Sequence, residues 1–252
     1  MRSIESVGGA IATIACLALL FAMPANSRAG SGQAGATFSM ATIRDRCIAF
    51  DQLKEGRDYR ECRVSEFDEI GTVDSERYYY AIYCLMAPDA AGRCGGESAE
   101  ARYYRERAVA IFTRRVSSER AQLMFARADE DLGIFSYEKP RFVQTPAGLV
   151  LEIPIVVDGT GHGNATEYYL RASGAWMPIE SEAWTADLQK RLPDGLQIWK
   201  GVWPDLGTMS AETGLYRDGD ANCCPTGGTA RIHLAIRERR FVIDSLVIDR
   251  PP

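Results

Sequence analysis

The sequence predicts an α+β fold built mainly from antiparallel β-sheet, with two or three helices and several disulfide bonds. Short runs of alternating apolar residues, separated by turns rich in glycine, proline and serine, dominate the chain. Two segments have apolar residues at helical spacing, and a third is compatible with a helix or a strand. The number of cysteines is even once the N-terminal segment is set aside, which is typical of an exported, disulfide-bonded protein.

The N-terminal residues 1–29 are predicted to be a signal peptide. An apolar run without charges ends at Pro24, and Ser27 and Ala29 are small residues at the positions that a signal peptidase reads. The alternative is an uncleaved membrane anchor, because the run is at the short limit for a spanning helix. No other segment is long and apolar enough to span a membrane, so no membrane span is expected after cleavage.

The remaining chain is predicted to consist of a flexible leader over residues 30–40 and a single α+β domain over residues 41–252. The leader is expected because it begins with the glycine-rich run 30–35. A boundary near residues 133–140 would instead divide the chain into two domains, which its length also allows.

The first half of the domain is predicted to begin with a helix and continue in strands. Apolar residues at helical spacing from Ile43 to Leu53 predict a helix over residues 41–55. Strands are predicted over residues 62–70, 77–86 and 107–115. The strand 77–86 is apolar on both faces, which is typical of a central strand covered on each side. Residues 120–128 form its next hairpin partner or a helix, because several of them favour helices.

The second half is predicted to be a series of hairpins interrupted by one helix. The strands are expected over residues 141–144, 149–157, 165–172, 175–179, 197–203, 213–216, 230–236 and 241–248. The helix is expected over residues 181–192, because Ser181 can cap its first turn and Pro193 ends it.

Six cysteines remain after the loss of Cys16 with the signal peptide. They are expected to form three disulfides, for which sequence alone allows 15 connectivities. We expect local pairs, Cys47 with Cys62 and Cys84 with Cys94, which leaves Cys223 and Cys224 as a vicinal pair. The alternative joins each of the last two cysteines to a distant partner, since neighbours on a strand point to opposite faces.

The composition excludes several classes of function. The formal net charge is −5 and no basic cluster occurs, which disfavours binding to nucleic acid. With two histidines in the chain, a zinc hydrolase site is not expected. The sequence also lacks a Gly-x-Ser-x-Gly nucleophile elbow and a Walker motif, and no organic cofactor is expected.

A calcium ion is the one cofactor for which the sequence offers ligands. Asp218, Asp220 and Asn222 stand at the first three ligand positions of an EF-hand loop, although the glycine and glutamate that complete such a loop are missing. A glycine-rich loop offers a second set of oxygens from Asp158 to Glu167. The alternative for that loop is a simple hairpin turn.

Exposed aromatic rings are the main candidates for ligand binding. Trp199 and Trp203 lie on one face of the predicted strand 197–203, about 13 Å apart at the rise of a strand. Such a pair would form a flat platform for sugar rings, and Trp176 could extend it. The alternative is that these rings belong to the core, where aromatic side chains dominate the buried area.

Residues 219–225 form a Gly-Asp-x-x-Cys-Cys-Pro turn. It resembles a turn in uncharacterised exported bacterial proteins, some of which are mycobacterial lipoproteins. The resemblance covers at most residues 148–248 and rests on this short motif. It implies an envelope or secreted location and brings no catalytic residue with it. The chain differs from the lipoproteins in lacking a lipidation cysteine.

These observations lead to an expected function outside the cytoplasm. We expect an exported bacterial protein, periplasmic or secreted, that acts as a non-catalytic binding or structural component of the cell envelope. Its partner would be an envelope glycan or protein. The alternative is a secreted, glycosidase-like hydrolase, since that chemistry needs only two carboxylates, here near Asp158 and Glu167 or near residues 218–222.

Overall fold

The computed structural model describes residues 35–47, 61–86, 94, 108–128, 135–157 and 165–249. This part of the chain contains two helices, α1 over Met40–Asp45 and α2 over Ala183–Arg191. Its strands are β1 Thr37–Ser39, β2 Glu61–Val73, β3 Glu76–Met86, β4 Ala108–Arg115, β5 Arg120–Ala128, β6 Phe135–Tyr137, β7 Arg141–Thr145, β8 Gly148–Ile153, β9 Ile155–Val157, β10 Glu167–Ala172, β11 Ala175–Pro178, β12 Ser210–Leu215, β13 Gly228–Arg237 and β14 Arg240–Asp249.

The strands form four sheets, and every pair of neighbouring strands in them is antiparallel. A five-stranded sheet has the order β1-β5-β4-β3-β2, and a four-stranded sheet has the order β11-β10-β8-β7. A three-stranded sheet, β12-β13-β14, and the two-stranded pair β6-β9 complete the fold. The predicted α+β class with mainly antiparallel sheet is thus confirmed, with two helices in the described residues where two or three were expected.

Strand β3 lies inside the five-stranded sheet, between β2 and β4, and side chains on both of its faces are buried. Tyr80 and Ile82 on one face belong to a core cluster with Leu151 of β8. Tyr79 on the other face belongs to a second cluster with Ile43 of α1. The prediction of a central strand covered on both sides is confirmed, because an apolar residue at every position needs a partner layer on each face.

A third core cluster covers the opposite side of the four-stranded sheet. Val150 of β8 and Tyr168 of β10 pack there with Trp184 and Leu188 of α2 and with Ile232 of β13. Strand β8 therefore contributes to two cores, because its successive side chains point to opposite faces. The buried residues of β8 connect the five-stranded sheet on one side with α2 and the three-stranded sheet on the other.

The N-terminal elements differ from the prediction. Thr37–Ser39, inside the predicted leader 30–40, forms β1 and pairs with β5, and residues 30–34 lie outside the described residues. The helix predicted over residues 41–55 begins one residue earlier, where the Ser39 hydroxyl accepts a hydrogen bond from the Thr42 N–H. It ends at Asp45, because the next residue adopts an extended conformation.

Two predicted strands are also different in the structure. The strand expected over residues 149–157 is interrupted at Pro154, which has no N–H for a ladder, and its two parts pair in different sheets. The strand expected over residues 197–203 is absent. Only Gln197 bridges to Tyr216, and the next backbone N–H, that of Ile198, donates to the Gln189 side chain instead.

The remaining predictions for the second half agree with the structure more closely. The ambiguous residues 120–128 form strand β5, so tertiary pairing overrides their helix propensity. Helix α2 begins two residues after Ser181. Its first N–H groups, of Glu182 and Ala183, donate to the Glu180 carboxylate, which takes the place of the expected serine cap.

Three disulfides join the cysteines in the local pairs that the sequence predicts: Cys47–Cys62, Cys84–Cys94 and Cys223–Cys224. Cys84 and Cys94 are buried together with Met86, whereas the vicinal pair is exposed. No helix in the described ranges is long and apolar enough to cross a membrane. The predicted signal peptide lies outside those ranges.

Candidate functional site

A cleft of about 860 Å³ lies where the five-stranded sheet meets the β6–β9 pair and the edge of the four-stranded sheet. Its apolar walls include Tyr137, Ile155 and Tyr168, all of which are almost completely buried. Trp203 also lines it and remains 41% exposed. We call this space the Trp203 cleft. A partly exposed indole beside a polar cavity is typical of sites that hold a ligand with both apolar and polar faces.

Glu152 is the most deeply buried charge in the Trp203 cleft. It lies on β8, directly opposite Arg141 on β7 and Tyr168 on β10. Its side chain is 6% exposed and accepts a hydrogen bond from the Arg141 Nε. This hydrogen bond and the charge of Glu152 raise the pKa of Arg141. Burial, together with the charge of Glu152, raises the pKa of Tyr168.

A second polar group lies on the β2 side of the cleft. The Tyr80 hydroxyl donates a hydrogen bond to the Glu66 carboxylate. Lys139 Nζ lies 5.8 Å from the centre of the Tyr80 ring and 2.8 Å from the Asp68 carboxylate. The hydrogen bond from Lys139 lowers the pKa of Asp68, while burial and the neighbouring Glu66 raise the pKa of Tyr80.

The three tryptophans that were predicted to form one platform have different surroundings in the structure. Trp203 lines the cleft, whereas Trp199 stacks on Tyr216 at 4.6 Å and donates its indole N–H to Gln197. Trp176 stacks on Phe142 at 5.4 Å and lines a different, smaller cavity. The predicted platform required a regular strand through residues 197–203, which the structure does not contain.

The predicted cation loop is organised by hydrogen bonds within the protein. The Asp220 carboxylate accepts the N–H groups of Arg217 and Thr226 and the Thr226 hydroxyl, and the two backbone hydrogen bonds are the main causes that lower its pKa. Asp218 accepts from Gln197 at 2.6 Å, and the Asn222 carbonyl accepts from the Tyr216 hydroxyl at 3.0 Å. These contacts fix the turn that carries the vicinal disulfide.

No group of three or more histidine, cysteine or acidic residues that could hold a metal ion occurs among the described residues. Calcium binding at Asp218, Asp220 and Asn222 stays a prediction, and an ion there would have to compete with the donors that Asp220 already accepts.

The hydrolase alternative stays a prediction, and those of its carboxylates that the structure describes do not line the Trp203 cleft. Glu167 accepts hydrogen bonds from Arg127 and from the Tyr169 hydroxyl, and neither it nor the loop at residues 218–222 lines the Trp203 cleft. Asp158 and the glycine-rich loop to Asn164 lie outside the described residues. In the described part of the chain, the acidic residues that line the cleft are Glu66, Glu138 and Glu152.

Comparisons of the chain with protein-family models, with curated proteins and with solved structures find no match.

The cleft residues Glu66, Lys139, Arg141 and Glu152 were not predicted from the sequence. One signal was available, because Glu152 is the only charge in the otherwise apolar strand β8. A charge in such a strand is rarely buried without a partner. The hairpin prediction for residues 141–157 places Arg141 directly opposite it, so this pair could have been found. The other cleft residues come from distant segments.

Proposed function

We propose that the protein is an exported, non-catalytic binding component of the bacterial cell envelope, and that it binds a glycan in the Trp203 cleft. The observation that carries the proposal is the exposed indole of Trp203 beside a polar cleft of about 860 Å³. A sugar ring has an apolar face of C–H groups and a rim of hydroxyl groups. It therefore suits a site that combines an aromatic ring with a few polar side chains.

Export is supported by the three disulfides, because such bonds form and persist in oxidising compartments. The apolar segment before Pro24 and the small residues before position 30 are typical of an export signal, which agrees with this location. The Cys-Cys-Pro turn, which resembles that of exported bacterial proteins, is consistent with an envelope location. Mass analysis of the native protein should find Gly30 at its N-terminus, and a chain that still contains Cys16 would contradict export by cleavage.

The contacts of two of the cleft carboxylates, Glu152 and Glu66, favour binding over hydrolysis. The Glu152 carboxylate accepts a hydrogen bond from Arg141, and the Glu66 carboxylate accepts one from the Tyr80 hydroxyl. A glycosidase requires one carboxyl group that donates a proton to the leaving oxygen while a second acts on the sugar carbon. Carboxylates that already accept donors from the protein are suited instead to holding the cleft in shape.

The charges that line the cleft also favour a particular class of glycan. Among the lining residues that the structure describes, three carboxylates, Glu66, Glu138 and Glu152, accompany two cations, Lys139 and Arg141. The small excess of negative charge disfavours a polyanionic chain. We therefore expect a neutral or amine-bearing oligosaccharide.

The test uses the mature, oxidised protein with neutral N-acetylglucosamine oligomers and with a polyuronate as the anionic comparison. We expect saturable binding of a neutral oligomer in calorimetry, at least tenfold weaker binding of the polyuronate, and no cleavage product in mass spectrometry. Trp203→Ala should weaken binding at least tenfold. Trp199→Ala is the matched control, because that indole lies outside the cleft. This variant should bind the neutral oligomer with unchanged affinity.

Three results would count against the proposal. Binding that Trp203→Ala leaves intact would place the ligand elsewhere. Shortened oligomers would show hydrolysis. If no member of a wider panel of soluble envelope glycans bound, glycan recognition by this cleft would be excluded.

A further inference from the structure

A second cavity, of about 330 Å³, lies between the five-stranded sheet and the β10–β11 hairpin. None of its described lining residues also lines the Trp203 cleft. Aromatic side chains form much of its wall, with Tyr169 stacked on Phe125 at 5.0 Å and Trp176 edge-on to Tyr78 at 5.8 Å. We call it the Arg171 cavity, after the one cation among the described residues that line it.

The Arg171 side chain is largely buried, and few acceptors compensate its positive charge. Its side chain is 16% exposed, and its guanidinium lies 5.3 Å from the centre of the Trp176 ring. Its one ion pair within the described residues runs from Nη2 to the carboxylate of Asp74 at 3.3 Å, and the Asp74 side chain is 70% exposed. A guanidinium has five N–H donors, and a buried one is normally matched by good acceptors. The cavity beside Arg171 is where a further acceptor can be supplied.

The other charge in the cavity restricts what that acceptor can belong to. Glu76 accepts hydrogen bonds from the Tyr78 hydroxyl at 3.1 Å and from the Thr113 hydroxyl at 3.2 Å. Its negative charge disfavours a second anionic group in the same space. The volume suits a ligand with a single ring, since pockets for larger molecules run to several times this size.

We propose that the Arg171 cavity binds a small monocarboxylate with a flat apolar body. The carboxylate accepts from the Arg171 guanidinium, in the paired geometry that arginine favours with carboxylates. The ring lies against Trp176 and Tyr169, where offset or edge contacts between aromatic groups are favourable. This inference does not rest on the glycan proposal, because the two sites share none of the described residues and are tested with different ligands.

The test compares 3-phenylpropionate with its uncharged amide, followed by the indole N–H signals in two-dimensional NMR. The Trp176 signal is assigned with Trp176→Phe. We expect the carboxylate to shift this signal saturably and to bind at least tenfold more tightly than the amide. The dianion phthalate should bind at least tenfold more weakly than 3-phenylpropionate because of Glu76.

Two variants separate a binding role of Arg171 from a structural one. Arg171→Gln should reduce carboxylate affinity to that of the amide, while Arg237→Gln, at an exposed ion pair, should not change it. Asp74→Asn removes the negative charge that competes for Arg171 and should tighten carboxylate binding by about two- to fivefold. This position tolerates asparagine, because its φ of 49° lies in the left-handed region that asparagine adopts readily.

The Asp74→Asn arm keeps the test decisive if Arg171→Gln does not fold. Equal binding of acid and amide would overturn the inference, as would a Trp176 signal that does not move. A carboxylate affinity that neither variant changes would show that Arg171 serves packing alone.

Discussion

The disulfides are expected to differ in their contribution to stability, because they close rings of very different length. Cys84 and Cys94 are 10 residues apart in sequence, and both are buried beside Met86. The loop-closure entropy for that separation corresponds to about 2.7 kcal/mol at 25 °C. Removing two buried sulfurs adds a packing loss. The double variant Cys84→Ala with Cys94→Ala should therefore lose about 3–4 kcal/mol.

The vicinal disulfide should contribute much less. Cys223 and Cys224 are adjacent, so their bond closes almost no loop, and both are exposed. Hydrogen bonds independent of the sulfurs hold the same turn. They include the donors to Asp220 and the bond from the Gly227 N–H to the Leu215 carbonyl at 2.7 Å. The double variant Cys223→Ser with Cys224→Ser should lose at most about 2 kcal/mol, as an ordinary turn substitution does.

Both losses are measured by urea unfolding of the oxidised proteins, monitored by circular dichroism. The free energy of unfolding is extrapolated linearly to water. Cys47→Ala with Cys62→Ala is the control, because a separation of 15 residues corresponds to about 3 kcal/mol. If the vicinal variant lost as much free energy of unfolding as the Cys84 and Cys94 variant, ring length would not explain the difference. Non-reducing peptide maps that linked Cys223 to any of the other four cysteines would refute the pairing itself.

Two further predictions concern charges. In Arg141→Gln the free energy of unfolding, measured in urea, should fall by about 1–3 kcal/mol, because the buried Glu152 carboxylate loses its charged donor. In Arg237→Gln it should fall by less than about 1 kcal/mol, because that ion pair is exposed. Equal losses would contradict a structural role for the buried pair. Hydrogen bonds hold the pKa of Asp220 below its ordinary value, so its stabilising effect is present above about pH 4 and is lost as the pH falls through the lowered pKa. The urea midpoint of Asp220→Asn should therefore fall less between pH 6 and pH 3 than that of the wild type, and parallel falls would refute this assignment.

Much of the secondary structure could be predicted because its causes are local. The apolar alternation of residues 77–86 indicated a strand buried on both faces, and β3 is such a strand. The spacing of Cys47 from Cys62 and of Cys84 from Cys94 favoured local disulfides, which the structure contains. Residues 230–236 and 241–248 were recognised as a hairpin from the same kind of pattern. In each case the deciding residues are close neighbours in sequence.

The errors arose where a distant or non-repeating contact competed with the local pattern. Residues 197–203 alternate like a strand, but the Gln189 side chain takes the hydrogen bond that a neighbouring strand would have accepted. Pro154 divided one predicted strand between two sheets, since its missing N–H cannot join a ladder. Thr37–Ser39 became ordered because the edge of β5 offered it backbone partners.

The sequence by itself determined the fold class, the central strand and the local disulfides of this protein, because hydrophobic period and short spacing act within a few residues. Only the tertiary structure decided the sites. Glu66, Trp203 and the hairpin that carries Arg141 and Glu152 come from segments far apart in the chain and meet only when the sheets pack. The same packing placed Trp176 in a separate cavity with Arg171. The period of a strand sets which face a side chain occupies, but which segment lies opposite that face depends on how the whole chain minimises its exposed apolar surface.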